Sequence, residues 1–263
     1  MSAQASPYAE ILSTPLCEPL AWDTNFWQIP IARIHDQTLT VASTLAIDRW
    51  AAHYRVRCLY FLSQLSDYAT RQVAEARDFQ AMDIRTTMLL SPVPELLGNN
   101  GQYGRALLIR PVRCGDIPLL RRITHDCFQD TRFYADQNFP REGCRSLYET
   151  WITRSCSGYA DAVLVAEIAN TVLGFITCHL TPETANGAIG LVGVSAQARK
   201  QGIGHALVQQ ALEWFASRDV REISVVTQGR NIAARYLYQR GGFRVSAEQI
   251  WFHKWYTHQG GQG

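Results

Sequence analysis

The stretch Ile189-Gly-Leu-Val-Gly-Val-Ser-Ala-Gln-Ala-Arg-Lys-Gln-Gly-Ile-Gly-His-Ala-Leu-Val-Gln-Gln-Ala-Leu212 decides how the rest of the chain is read. Apolar residues occupy both alternating faces from Ile189 to Val194, as in a strand covered on both sides. After Gly204 the positions Leu207, Ala211 and Trp214 follow the 3.6-residue period of a helix. The segment therefore predicts buried strand, turn, helix. The turn, Arg199 to Gly204, puts glycines at 202 and 204, where the first helical amides have no intrahelical acceptor. Such a turn is a place for a phosphate group.

Working outward, Asp161–Ile168 and Thr171–Thr181 read as strands joined by a tight Ala169-Asn170 turn. Asn186-Gly187 reads as the hairpin turn into the Ile189 strand, so the sheet begins antiparallel. A strand over Glu222–Thr227 would lie parallel to the Ile189 strand through a right-handed crossover. Asn231–Arg240 is a helix closed by Gly241-Gly242, either of which can take the left-handed cap, and Phe243–Tyr256 is the last strand. Upstream lie a strand at Ala106–Val112 and a helix after Asp116 with Leu119, Leu120, Ile123 and Cys127 on one stripe. An aperiodic loop over Gln129–Pro140 leads to a helix carrying Leu147, Tyr148, Trp151 and Ile152 on one face.

The N-terminal third predicts a smaller α/β unit. The aromatic run Leu20–Trp27 reads as a buried anchor. Ile29–Ile34, Arg57–Leu62 and Met82–Leu90 read as strands, with helices over Thr38–Tyr54 and Ser66–Arg77. Prolines, glycines and asparagines between Ser91 and Gly104 mark a linker. The expected organisation is a small N-terminal α/β domain over 1–105, a larger domain over 106–257, and a flexible tail over 258–263. The fold class is α/β (α+β), with a mixed central sheet flanked by helices. Asp78-Phe79, between a helix and a strand, echoes Gly242-Phe243. Either the first domain is a degenerate half-copy of the second, or both pairs are ordinary helix-to-strand turns.

Composition narrows the function classes. The 263 residues are 47% hydrophobic with a net charge of +2 and no long run of like charge. General nucleic-acid binding and polybasic membrane contact are not expected, and any anion site must be local. The seven cysteines are scattered with no Cys-x-x-Cys pair, the pattern of reduced core residues, and no metal is expected. The apolar stretch Ala162–Leu180 is interrupted by Glu167 and Asn170, and no basic-then-apolar leader opens the chain. A soluble cytoplasmic protein is the expectation.

Two nucleotide-binding motifs fail at the glycine turn. A dinucleotide fingerprint needs a small residue at 207, which is Leu207, and a phosphate loop needs Gly-Lys-Ser/Thr, which is absent. The Arg-x-x-Gly-x-Gly turn, the Val194-to-Arg199 spacing, the helix Asn231-x-x-Ala234-x-x-x-Tyr238-x-x-Gly241-Gly242-Phe243 and the element order resemble the GCN5-related N-acetyltransferase (GNAT) family over Ala106–Tyr256. The resemblance implies acetyl coenzyme A as co-substrate. Its diphosphate would rest on the turn opened by Arg199, at Gln201, Gly202, Gly204 and neighbouring His205, and its pantetheine arm would pair with the strand at Val192 and Val194. A backbone N–H there would polarise the thioester carbonyl. Asn231 would contact the coenzyme and Tyr238 would act as general acid. A phenol with a pKa of ~10 is protonated at neutral pH and can donate to a departing thiolate. The alternative for Tyr238 is plain packing on an amphipathic helix, with Tyr236 as the comparison. For a general base, His179, Glu183 and His205 are candidates by proximity alone, with water or a relay as the alternative.

The acceptor signal lies elsewhere. Trp22–Trp27 with Pro30 and Arg33, and the loop containing Arg132, Phe133, Tyr134 and Asp136, resemble two-domain family members that acetylate amino sugars on nucleotide carriers of the dTDP type. Arg132 could meet a diphosphate while Phe133 or Tyr134 stacks on a base or sugar; the alternative is an aromatic loop that only packs. The resemblance implies direct acetyl transfer to the amine of a nucleotide-linked deoxyamino sugar and a homodimer, with neither nucleic acid nor membrane as partner. The rivals are another amine (a protein N-terminus, polyamine or small molecule) and a noncatalytic acyl-coenzyme A binding protein.

Overall fold

A computed structural model describes residues 16–93, 102–103 and 106–257. The boundary expected near residue 105, most of the linker, most of the loose N-terminal start and the tail over 258–263 lie outside the described residues. The described residues form two compact units, one of residues 16–82 with 249–257 and one of the described residues between 83 and 248.

The first unit contains β1 (Cys17–Pro19), α1 (Ala21–Trp27), β2 (Ile31–Ile34), α2 (Val41–His53), β3 (Cys58–Gln64), α3 (Tyr68–Ala76) and the start of β4 (Gln80–Leu90). β1 pairs antiparallel with β2, and β2 runs parallel to β3 across the α2 crossover. Leu59 and Phe61 of β3 share a buried cluster with Ile47 and Ala51 of α2, Ala74 of α3 and Phe79. The buried anchor expected at Leu20–Trp27 is instead the helix α1. None of its residues is buried, and Trp22 stacks on Phe26 at 5.3 Å.

The second unit takes β4 from Asp83 onward. It continues with β5 (Gln102–Tyr103), β6 (Leu107–Pro111), α4 (Ile117–Cys127), α5 (Arg132–Ala135), α6 (Arg141–Arg154), β7 (Ala162–Ile168) and β8 (Thr171–Thr181). It closes with β9 (Asn186–Val194), α7 (Ile203–Ala216), β10 (Glu222–Gln228), α8 (Ile232–Arg240) and the start of β11 (Arg244–Trp255). Its strands lie in the order β4-β10-β9-β8-β7-β6-β5, a mixed sheet in which only β9 and β10 pair in parallel. Strand alternation sends Val163, Val165 and Phe175 to a cluster with Leu120, Ile123 and Ile152 of α4 and α6. It sends Leu164, Ala166, Ile176 and Cys178 to Leu207, Ala211 and Phe215 of α7. The sheet is thus covered by helices on both faces, as its two-sided apolar pattern requires. Arg110 of β6 reaches Asp116 at 2.7 Å and Glu167 of β7, tying the sheet to the start of α4.

The compact units divide at Met82/Asp83, in keeping with how the strands pair. Residues 85–90 of β4 pair with β10, and residues 249–255 of β11 pair with β3. The Asn186-Gly187 hairpin is also corrected. Thr181 pairs with Asn186, and the turn is the preceding Pro182–Ala185 segment, with Ala185 at φ 53°. Ala169 and Asn170 do form the expected tight turn, at φ 47° and 61°.

Four helices hand over to strands by one device. The N–H of Val56, Phe79, Val220 and Phe243 donates to the carbonyl five residues back, at 2.9, 3.0, 3.3 and 3.0 Å. The residue before each (Arg55, Asp78, Asp219, Gly242) is left-handed. This is a Schellman cap, so the echo between Asp78-Phe79 and Gly242-Phe243 is by itself a shared turn. Among the described residues no helix is long and apolar enough to cross a membrane.

Leu207, which broke the dinucleotide pattern, is fully buried beneath the sheet. Leu207→Ala is expected to lower unfolding free energy by about 2–5 kcal/mol, read from the urea midpoint at unchanged slope.

Candidate functional site

The site begins where two strands part. β9 and β10 pair in parallel from Asn186/Glu222 to Ile189/Val225, and the ladder stops there. β9 remains paired with β8 as far as Val194, and β10 with β4 as far as Gln228. From Gly190 to Val194, β9 therefore turns one edge of backbone donors and acceptors away from any ladder. A bulge in the β8–β9 pairing helps: the Leu191 N–H donates to Thr177 Oγ1 at 2.8 Å. A Cβ at Gly190 would fall 2.6 Å from both Thr177 Oγ1 and His179 Nε2, so only glycine fits.

A cavity of about 790 Å³ opens at this parting. Val192 and Val194 of β9 line it, with Arg199, Gly202, Gly204 and His205 of the turn and Asn231, Ala234 and Tyr238 at α8. Gln201 is exposed, its side chain donating to the Gln197 carbonyl at 3.0 Å, and it is not among the lining residues. Gly202 is the N-cap of α7, left-handed at φ 82° and without a side-chain cap. The corresponding helix of the first unit, α2, is closed by Thr40 and Ser43, which exchange backbone hydrogen bonds in a capping box. Unlike α2, α7 thus leaves its first-turn amides without a side-chain cap beside the cavity, with the positive end of the helix dipole there. The buried Nδ1 of His205, in the same turn, has no hydrogen-bond partner among the described residues.

On α8, Asn231 Oδ1 accepts from the Ala234 N–H at 3.0 Å, so this side chain caps the helix. Tyr238 is 5% exposed and edge-on to Phe243 at 5.9 Å, and burial pushes its phenol pKa well above the usual value. Tyr236, 61% exposed, lines the same cavity without that burial. Arg199 uses its guanidinium on backbone: Nε donates to Val194 O at 3.2 Å and Nη2 to Asp126 O at 2.7 Å. The Cys127 thiol also donates to Val194 O, at 3.4 Å.

Of the base candidates, His205 lines the cavity. His179 is partly buried, which pushes its pKa down, with Nε2 3.4 Å from Thr177 Oγ1. Glu183 is exposed in the turn before β9. The four expected acceptor residues do not line the cavity. Phe133 (3% exposed) packs edge-on against Phe139 at 5.6 Å, and the Arg132 guanidinium lies 4.4 Å over the Phe133 ring. Asp136 (2% exposed) accepts from the Asn138 N–H and Nδ2, both at 2.9 Å, and Tyr134 lies beneath Arg141. The adjacent Asp130 and Thr131 line the cavity instead, as do Cys127 and Gln228. The acceptor-type segment read from the sequence includes Asp130 and Thr131, but without a period in the loop nothing singled them out over Arg132, Phe133, Tyr134 and Asp136. Sequence reasoning read Cys127 as a core residue of its helical stripe. Asp83, which it missed, is buried beside Arg230 at 3.6 Å, and burial outweighs that cation, raising its carboxyl pKa to about 6.

Residues 119–243 match the family model described as Acetyltransferase (GNAT) family. The dTDP-fucosamine acetyltransferase of Escherichia coli O6:H1 is 26% identical over 238 residues, covering 90% of this chain and 97% of that protein. The spore coat polysaccharide biosynthesis protein SpsD of Bacillus subtilis (strain 168) is 22% identical over 145 residues. That match covers 55% of this chain and only 50% of the relative. Among solved structures, a GCN5-related N-acetyltransferase from Sphaerobacter thermophilus superposes with a TM-score of 0.66 at 17% identity, over 91% of this chain and 76% of the other. At that identity the likeness is one of fold.

Three outcomes are expected from stability measurements. Gly202→Ala puts a Cβ on a left-handed backbone and costs about 1–2 kcal/mol. Gly204→Ala meets Leu237 and Val194 only at van der Waals distance and leaves stability equal or raises it by up to about 1 kcal/mol; urea unfolding separates the two. For Asp83, a folded pKa raised above the unfolded ~3.9 means a stability contribution present at low pH and lost as pH rises through about 6. The Tm of Asp83→Asn relative to the parent should therefore climb between pH 4 and 7 and level off above.

Proposed function

We infer that the chain carries an acetyltransferase domain of the GNAT family, over the residues 119–243 that match the family model. From that premise we propose that it transfers the acetyl group of acetyl coenzyme A directly to the amine of a nucleotide-linked deoxyamino sugar of the dTDP type. The observation that carries the donor half is one cavity joining the unladdered edge of β9, the uncapped start of α7 and the buried phenol of Tyr238.

Acetyl coenzyme A supplies an activated acyl carbon and a thiolate leaving group. The first-turn amides at Gly202, Ile203, Gly204 and His205 hold its diphosphate, assisted by the helix dipole. The edge at Val192 and Val194 aligns the pantetheine arm, and a strand N–H polarises the thioester carbonyl. Asn231 sets the end of α8 from which Tyr238 enters the cavity. As the neutral amine forms its N–C bond and the C–S bond breaks, Tyr238 gives its phenolic proton to the sulfur. The proton released by the amine passes to water. Burial keeps the phenol protonated across the neutral range, which suits an acid and not a base.

Support for the acceptor comes from the 26% identity that spans nearly all of both chains and from a second relative named for polysaccharide biosynthesis. The order β2-α2-β3-α3-β4 parallels β9-α7-β10-α8-β11, each opening on a parallel strand pair, which supports reading the first unit as a partial copy of the second. A second reading, transfer to a different amine, is favoured by one observation. The loop residues expected to meet a sugar nucleotide turn inward at Phe133 and Asp136.

The test follows thiol release from acetyl coenzyme A over a panel of dTDP- and UDP-linked amino sugars, polyamines and peptides. Turnover with the amino sugars supports the assignment. Turnover confined to other amines selects the second reading, and coenzyme binding without turnover on any amine identifies a noncatalytic binder. With an active acceptor, Tyr238→Phe should lower kcat by about 10²–10⁴-fold with acetyl coenzyme A affinity retained, whereas Tyr236→Phe should stay near the parent.

A further inference from the structure

The Arg199 side chain, at the cavity mouth, is already engaged. Its planar fork spans two elements, donating Nε to the Val194 carbonyl at the end of β9 and Nη2 to the Asp126 carbonyl in the last turn of α4. The final carbonyls of a helix have no intrahelical donor and carry the negative end of its dipole, so a guanidinium is a suitable cap there. Cys127, the last residue of α4, completes the contact. Its thiol donates to Val194 O at 3.4 Å, and its sulfur lies 3.7 Å from Arg199 Nη2. The Val194 carbonyl has two lone pairs and two donors, and both donors come from side chains.

We propose that Arg199 and Cys127 are positioning residues that clamp the end of β9 to α4, holding the strand edge at Val192 and Val194 in place for the acyl donor. This rests on the acetyl coenzyme A reading of the cavity. The clamp is needed because β9 loses its β10 partner after Ile189. A strand without a neighbour on one side is the kind of segment that opens locally, and a donor-binding edge that frays loses its alignment. Lysine cannot replace this arginine, because a point charge cannot reach two carbonyls in one plane. Cys127 acts as a neutral donor: burial raises its thiol pKa, so it is not a ready nucleophile. Among the described residues it is the cysteine that lines the cavity, and its role as a clamp leaves direct transfer, without an acyl-cysteine, as the route.

The rival role for Arg199 is direct contact with the coenzyme's phosphates. Two donors separate them: acetyl coenzyme A, and S-acetylpantetheine, which has the arm without the diphosphate or adenosine. Dissociation constants for both are measured on the parent, Arg199→Lys, Arg199→Gln, Cys127→Ala and Cys127→Ser, each checked for parental circular dichroism. The clamp predicts that Arg199→Lys and Arg199→Gln weaken both donors by a similar factor, about tenfold. Cys127→Ala should weaken both about fivefold, while Cys127→Ser, which keeps a donor, stays within twofold of the parent. The Arg199→Lys/Cys127→Ala pair should be less than additive, because both side chains act on one carbonyl. If Arg199→Lys retains S-acetylpantetheine affinity and loses only acetyl coenzyme A, Arg199 is a phosphate ligand and the clamp is overturned while the donor assignment stands. Parent-like binding by Cys127→Ala removes Cys127 from the proposal. A parent protein that binds neither donor overturns the clamp and the donor assignment together.

Discussion

The parting of β9 from β10 after Ile189 and Val225 is the constraint on which the site depends. Two neighbouring strands that pair along their whole length satisfy each other's backbone and leave nothing to offer a ligand. Here the pair is fixed at one end by a buried parallel ladder and each strand stays anchored on its outer side, to β8 and to β4. These outer ladders hold both strands beside the open gap, and Arg199 and Cys127 add hydrogen bonds to the Val194 carbonyl at the end of β9. The Gly190 bulge and the Leu191–Thr177 hydrogen bond redirect β9 at the point of parting.

Electrostatics complete what the gap begins. Helices α2 and α7 each follow the first strand of a strand-helix-strand unit, yet they start differently. Thr40 and Ser43 close α2, whereas a left-handed glycine without a side chain starts α7. The same strand-helix-strand order thus starts with a side-chain-capped helix in one unit and with a helix free of a side-chain cap in the other. At the far side of the cavity, burial of Tyr238 against Phe243 and the α7 core fixes its protonation state, while Tyr236, two residues away, stays in contact with solvent. The proposed proton donor and the proposed anion cradle thus sit on adjoining helices that share one apolar core.

Much of this was legible in the chain. The two-faced apolar run before Gly202 and the 3.6-residue period after Gly204 set the central strand, turn and helix. The spacing Asn231, Ala234, Tyr238 put three residues on one helical face, and all three line the cavity. The acceptor loop was not legible, because over Gln129–Pro140 no period says which side chains turn inward. Phe133 and Asp136 proved buried, and the smaller Thr131 beside them faces the cavity. The division at Met82/Asp83 was not legible for a related reason: a run of prolines and glycines marks where the chain bends, not which strands pair across space.

The sequence by itself determined most of the secondary elements, though not the short helices α1 and α5, together with the glycine turn and the side chains on the last helix, because these follow from local periodicity and backbone freedom. Only the tertiary structure decided the rest, because pairing and burial join residues far apart in the chain. Residues 85–90 find β10, residues 249–255 find β3, and Arg199 bridges two carbonyls on different elements. Which arginine is engaged by backbone carbonyls, and which carboxylate loses its water, is settled by neighbours that no stretch of sequence contains.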